Sequence, residues 1–294
     1  MKLNSKKPLI AIWGFGKPAI EVFQILKDSS VDVAYVKADY NRPTINVFHN
    51  QLKECGIDEF YIDEIPSIEV DLIFTINYNR LIPDEILSKY HIVNYHVGLL
   101  PMWRGNGGNG WGIINGANAV GYTIHEMWPM LDAGPIYYQF AYPYMEGDTY
   151  IKARLAMADD LKRVLPQLLS GIIAGKIEGK EQNGPFTYCA TFRPIDGMVR
   201  WEESTDMILR RFYVFGPPLG TGLRFVFKEK EYSITKLSRI EGFANAVGVP
   251  GSVVYKVGKS VWVKTGDSAV SIDELYSEGE IVDTSKVFII GQRL

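Results

Sequence analysis

Short apolar runs alternate with helix-patterned stretches through the N-terminal part of this chain, and that alternation restricts it to a sheet covered by helices. The run from Pro8 to Trp13 ends in Gly14-Phe15-Gly16, and Pro18 then suits the first turn of a helix carrying Ile20, Val22, Phe23 and Leu26. Val31 to Val36, followed by a helix-like stretch from Thr44 to Cys55, repeats the unit. Val70 to Ile76 is apolar on nearly every position, the pattern of a strand buried on both faces, and Pro83-Asp84-Glu85-Ile86-Leu87 opens a helix with proline and acids in its first turn. His91-Ile92-Val93-Asn94 reads as the next strand, and Ala119 to Met127 and Gly134 to Tyr142 as two more. The expected class is α/β: a Rossmann-like, mostly parallel sheet with helices on both faces.

The pattern changes downstream. Asp148 can cap a long helix reaching about Ala174, with Pro166 kinking or splitting it. The polar stretch from Lys176 to Gly184 has the composition of a linker, Ser204 starts a short helix, and Gly216-Pro217-Pro218-Leu219-Gly220 ends it. From Leu223 onward short alternating runs such as Arg224 to Phe227 and Val261-Trp262-Val263 predict a small barrel-like β domain. The expected organisation is residues 1–184 as the larger domain, 185–222 as linker and helix, and 223–294 as the C-terminal β domain.

With 31 basic against 34 acidic residues and a net charge of -3, the chain lacks the basic surplus that phosphate-backbone binding requires, so a nucleic-acid partner is disfavoured. The apolar run near the N-terminus breaks too early for a signal peptide or membrane span, giving a cytoplasmic protein with no membrane partner as the expectation. Its two cysteines, Cys55 and Cys189, form no Cys-x-x-Cys pair, and no metal site is expected.

The chemistry concentrates between residues 94 and 134. Asn94 and His96 lie two apart at the carboxyl end of a predicted strand, where open α/β sheets bind ligands, and Asp132 lies in a loop before Gly134. An amide that donates, an imidazole that handles protons and a carboxylate that orients it are the groups needed to move an acyl unit onto an amine. The ordered series Asn94-x-His96-x-Gly98-Leu99-Leu100-Pro101-x-x-Arg104-Gly105, then Trp111, Asn115-Gly116, Gly121-x-Thr123-x-His125 and Leu131-Asp132-Ala133-Gly134, resembles the formyltransferase family that uses 10-formyltetrahydrofolate. The resemblance implies Asn94, His96 and Asp132 as catalytic residues. Asn94 and a protonated His96 would stabilise the oxyanion with Asp132 in support, and His96 as general base is the alternative. It also implies that loops including Arg80, Leu81 and Ile82, and Met130 and Leu131, hold the folate. His125 and His49 are assigned no role.

Family members differ in the amine they formylate. The chain has no basic, glycine-rich insertion near the end of its second strand, where Lys37 to Pro43 stand, and its C-terminal region is not basic, both of which count against transfer RNA. The segment Phe74 to Ile82 is closer to the aromatic version found in sugar-nucleotide formyltransferases, so the expected substrate is a nucleotide-linked amino sugar, with methionyl-tRNA formylation as the alternative and a homodimer as the expected assembly. Asn106-Gly107-Gly108-Asn109-Gly110, before a helix, could cradle a diphosphate, giving Arg104, Gly105 and Asn109, together with Gly16 and Lys17, as candidate substrate contacts. Gly14-x-Gly16-x-x-Ala19, with Asp39 near the end of the next strand, also fits a dinucleotide fingerprint, which makes an NAD-dependent oxidoreductase the rival of another class.

Overall fold

The apolar run that begins the sequence forms β1 (Leu9–Gly14), and the tight turn after it leads directly into α1 (Gly16–Leu26), whose Ala19, Val22, Phe23 and Leu26 form one buried stripe. The computed structural model describes residues 7–38, 43–57, 59–145, 150–241 and 247–294. The unit then repeats as β2 (Asp32–Ala38), α2 (Ile45–Cys55) and β3 (Phe60–Ile62), α2 ending at Gly56 in the left-handed conformation with its N–H on the carbonyls of Leu52 and Lys53. Next come β4 (Leu72–Ile76), buried at every position as its composition requires, α3 (Asp84–Lys89) and β5 (Ile92–His96). β6 (Arg104–Gly105), α4 (Gly108–Ile114), β7 (Ala119–Glu126), β8 (Ile136–Pro143), α5 (Tyr150–Ile173) and β9 (Tyr188–Cys189) follow.

Seven strands make one sheet in the order β3-β2-β1-β4-β5-β7-β8. The pairs from β3 to β5 are parallel, and β7 runs antiparallel to β5. This is the expected mostly parallel α/β sheet. Two local features differ from the sequence reading. β5 does not stop at Asn94: Tyr95 and His96 continue the ladder opposite Ile124 and Thr123, so both polar residues are strand residues. The stretch from Lys176 to Gly184 is no free linker, because Lys180 exchanges two backbone hydrogen bonds with Ile136 (2.7 and 2.9 Å). α5 runs unbroken through Pro166; Asp148, expected to cap it, and Asp39 of the dinucleotide fingerprint lie outside the described residues.

The chain divides into two compact units, one of Met1–Asn109, Val120–Tyr142 and Arg154–Ala190, the other of Gly110–Ala119, Pro143–Ala153 and Thr191–Leu294. The second contains α6 (Thr205–Phe215), capped by the Ser204 hydroxyl, which accepts from the Met207 N–H. Six antiparallel strands follow: β10 (Leu223–Phe227), β11 (Lys230–Arg239), β12 (Val253–Val257), β13 (Ser260–Lys264), β14 (Ala269–Ser277) and β15 (Glu280–Val282), with the short α7 (Thr284–Val287) after them. Their order is β10-β11-β14-β13-β12, with β15 beside β14, and their inward residues pack with Trp201, Ile208, Leu209 and Phe288 into a single core.

Candidate active site

Three adjacent strands lay a row of polar side chains across one face of the parallel sheet. Thr75 on β4 stands opposite Asn94 on β5, and Asn94 opposite His125 on β7. Directly paired residues share a face, as do residues two apart on one strand, so His96 joins the row. Tyr95 projects to the other face and stacks on Tyr122 at 4.8 Å. Asp132 reaches the row from the loop between β7 and β8, where it adopts a left-handed backbone (φ 50°). Its side chain is 8% exposed.

The contacts specify most of the proton positions. The Thr75 hydroxyl donates to Asn94 Oδ1 at 2.7 Å, and Asn94 Nδ2 lies 3.1 Å from His125 Nε2. His125 Nδ1 lies 2.8 Å from the Glu126 carbonyl, and His96 Nε2 lies 2.8 Å from the Trp103 carbonyl. A carbonyl only accepts, so each of these ring nitrogens carries a hydrogen. His96 Nδ1 faces Asp132 Oδ2 at 3.4 Å, and His125 Nε2 faces Asp132 Oδ1 at 3.4 Å. The Gly105 N–H donates to Asp132 Oδ2 at 2.7 Å.

Burial holds the His96 pKa below its ordinary value; Asp132 pulls it upward and His125 pushes it down again, and burial prevails. At neutral pH His96 is therefore neutral, with Nε2–H spent on Trp103 and the Nδ1 lone pair turned to the site. Of the two roles expected for His96, this resting state favours the general base. Burial pushes the Asp132 carboxyl up, but the attraction of a protonated imidazole at His125 or His96 and the Gly105 N–H outweigh it and leave the carboxyl below its usual range. Gly98 has no room for a side chain, since a Cβ there would stand 2.7 Å from His96 Nε2 and 3.2 Å from the Trp103 carbonyl. The hydrogen bond that orients His96 thus depends on that glycine.

Several candidate substrate contacts also have structural roles. Arg104 is buried, its guanidinium over the Phe186 ring and its Nε and Nη2 donating to Gln182 Oε1 at 3.2 and 2.7 Å. The Gly105 N–H positions the Asp132 carboxylate. The Asn109 side-chain amide bonds both the carbonyl and the N–H of Gly121 (2.8 and 3.0 Å) in a fully buried setting, which gives it a structural role of its own. Gly108 belongs to the same packing, because a Cβ there would approach the Trp103 and Val97 carbonyls to 2.7 and 2.9 Å. In the first turn Gly14 answers a packing demand too: a Cβ would lie 2.3 Å from the Ile76 carbonyl, so this glycine is explained without a dinucleotide. Gly16 opens α1 at φ 69°, and Lys17 points outward beside Glu21 at 3.6 Å.

Of the residues assigned to folate, Arg80 pairs with Asp63 at 2.6 Å, Ile82 is buried, and Leu81, Met130 and Leu131 are exposed apolar side chains. Three contributors had escaped the sequence reading. His125 and Thr75 fix the two ends of the Asn94 amide, and Gln182 donates to the Asp132 and Gly134 carbonyls, both at 2.8 Å. The signal available beforehand was the strand register, which puts residues 75, 94 and 125 side by side once the sheet order is known. Among the described residues no group of three or more His, Cys, Asp or Glu side chains is arranged to hold a metal ion, and no helix is long and apolar enough to cross a membrane.

Comparison with known proteins assigns the family. Residues 20–169 match the formyl transferase family model, and residues 192–293 match that of the formyl transferase C-terminal domain. A methionyl-tRNA formyltransferase of Pelotomaculum thermopropionicum is 29% identical over 217 residues, covering 73% of this chain and 68% of that protein. HypX from Aquifex aeolicus in complex with tetrahydrofolic acid superposes with a TM-score of 0.63 at 20% identity, over 96% of this chain but only 47% of the HypX chain, so this protein spans about half of it. WlaRD, a sugar 3N-formyl transferase solved with dTDP and 5-N-formyl-THF, gives a TM-score of 0.66 at 15% identity over 94% of this chain and 100% of its own. With family models matching through most of its length, the chain belongs to the formyl transferase family.

Proposed function

We propose that this protein transfers a formyl group from 10-formyltetrahydrofolate to the primary amine of a nucleotide-linked amino sugar, with Asn94, His96 and Asp132 as its catalytic residues. The observation that carries the transfer is the convergence of these three side chains, Asp132 being 3.4 Å from His96 and both buried. When bound, the folate supplies the activated formyl carbon. Exposed Leu81, Met130 and Leu131, displayed on the two loops assigned to it, offer apolar surface for the faces of its rings, whose polar edges are left to backbone groups.

Each residue then has one task. Asn94 keeps a second amide N–H beyond the one directed at His125, and this donor meets the negative charge developing on the formyl oxygen. His96 accepts the proton leaving the attacking amine on Nδ1, the free nitrogen of its neutral ring. Asp132 stabilises the resulting imidazolium, and the proton is returned toward the departing folate nitrogen as the carbon–nitrogen bond to the donor breaks.

For the acceptor, the net charge of -3 supports a small anionic substrate over a polyanion, because a transfer-RNA surface is held chiefly by basic residues. The likeness to a sugar 3N-formyl transferase in fold is compatible with this reading. The sequence relatives, which include a methionyl-tRNA formyltransferase, favour the second reading, formylation of methionyl-tRNA. Supplying 10-formyltetrahydrofolate with a panel of amino-sugar nucleotides, and charged initiator tRNA alongside, separates the two by product mass. Formylated nucleotide sugar is expected. Product from tRNA alone transfers the assignment to the second reading, and product from neither rejects both. The proposed assembly is a homodimer, and a monomer in light scattering at micromolar concentration rejects that part.

A further inference from the structure

His125 lies in the middle of the site, 1% exposed, and the transfer as described gives it no step. Its Nδ1 donates to the Glu126 carbonyl at 2.8 Å, so only Nε2 is left to interact with the site. That nitrogen has two neighbours, Asn94 Nδ2 at 3.1 Å and Asp132 Oδ1 at 3.4 Å, and it can satisfy only one of them. With a lone pair it accepts from Asn94; with a proton it donates to Asp132 and confronts the Asn94 amino group with a second donor. The structure shows the first arrangement: the Thr75 hydroxyl donates to Asn94 Oδ1 at 2.7 Å while Nδ2 faces His125.

We propose that His125 is a positioning residue: in its neutral, Nδ1-protonated form it clamps the Asn94 amide against Thr75, aiming the remaining Asn94 N–H at the formyl oxygen. A primary amide left free rotates and exchanges its donor for an acceptor, which at a site of developing negative charge is worse than a gap. Register supplies the clamp. Thr75, Asn94 and His125 are consecutive cross-strand partners, so the sheet itself holds donor, amide and acceptor in line. The titratable groups facing His125 are Asp132 and His96, the latter edge-on at 6.2 Å between ring centroids; the Glu126 carboxylate is turned away to accept from the Tyr137 hydroxyl at 3.0 Å. Protonation of His125 would draw Nε2 to Asp132 and release Asn94.

The inference rests on the role proposed for Asn94, and its test has a readout independent of turnover. In the full-length protein labelled with 15N-histidine, the His125 resonances, assigned by their loss in His125→Gln, are expected to report a protonated Nδ1 and a bare, hydrogen-bonded Nε2 at neutral pH. In transfer assays His125→Leu is expected to lower kcat by about tenfold or more while the KM for the formyl donor stays within about twofold. His125→Gln, whose side-chain oxygen can still accept from Asn94, is expected to recover kcat to within about threefold of the original. A protonated Nε2, an undiminished kcat in the folded leucine variant, or a folded glutamine variant no better than leucine would each overturn the clamp. If His125→Leu does not fold, the resonances and the glutamine variant decide. Absence of transfer by the unaltered protein would refute the proposed function instead, leaving the tautomer measurement to judge the clamp.

Discussion

Asp132→Asn tests the proton-transfer role most directly, since it removes a charge with little change in shape. The amide oxygen can still accept the Gly105 N–H, so the loop keeps its anchor. What disappears is the attraction between a carboxylate and an imidazolium whose Nδ1 lies 3.4 Å away, worth about 5 kcal/mol at an effective dielectric constant of about 20. If roughly half of the proton charge has reached His96 in the transition state, about 2–3 kcal/mol is lost there, slowing kcat roughly 30- to 150-fold. The pH dependence carries the sign. A neutral His96 acting as base is active above its pKa and inactive below, so the rate falls as pH drops through a value under 6.5. Without the carboxylate the imidazolium is less stable, the pKa falls further, and the acid limb moves to lower pH while the plateau sinks. Steady-state kcat under saturating substrates from about pH 5 to 9 reads both effects. A plateau within about threefold of the original, or an acid limb that moves upward, would refute the role assigned to Asp132. A rate that instead declines as pH rises through the His96 pKa would show His96 working as the protonated donor.

Gly98→Ala places a methyl group 2.7 Å from His96 Nε2, and the displaced ring loses the Trp103 carbonyl; a destabilisation of about 1–3 kcal/mol, seen as a lower Tm, should accompany a kcat loss larger than stability explains. Gln182→Ala strips Nε and Nη2 of the buried Arg104 guanidinium of their acceptor and frees the Asp132 and Gly134 carbonyls, with an expected cost of about 2–4 kcal/mol in denaturant unfolding and a concurrent loss of activity; a change under about 0.5 kcal/mol would contradict the network. His96 and Asp132 are both held below their ordinary values of 6.5 and 3.8, so each contributes stability that is complete above the ordinary value and is lost as pH falls through the folded one. Tm should therefore decline from just below pH 6.5, and His96→Gln should remove that first part of the decline while sparing the steeper acid loss.

Period and punctuation made much of the fold readable in advance. Apolar runs of strand length, each followed by a helical stripe, can bury themselves only in a covered parallel sheet, and the short alternating runs after Leu223 form the antiparallel sheet expected of them. Asn94, His96 and Asp132 were identifiable because chemically suited residues stood in a family's order. Other positions were legible only in part. Asn109, Arg104, Gly108 and Gly14 carry residue types that suit phosphate, and only the approach of Gly121, Gln182, Trp103 and Ile76 shows that packing and buried hydrogen bonds also call for them. By itself the sequence determined the period of each element, the residue types available for acyl transfer and the family. Tertiary structure alone decided which nitrogen of His96 is free, that His125 and Thr75 grip Asn94, and that Gln182 ties the Asp132 loop to Arg104. These depend on strand register and on contacts between residues as far apart as 132 and 182, and a side chain's chemistry is set by which neighbours withdraw it from water and which protons they claim.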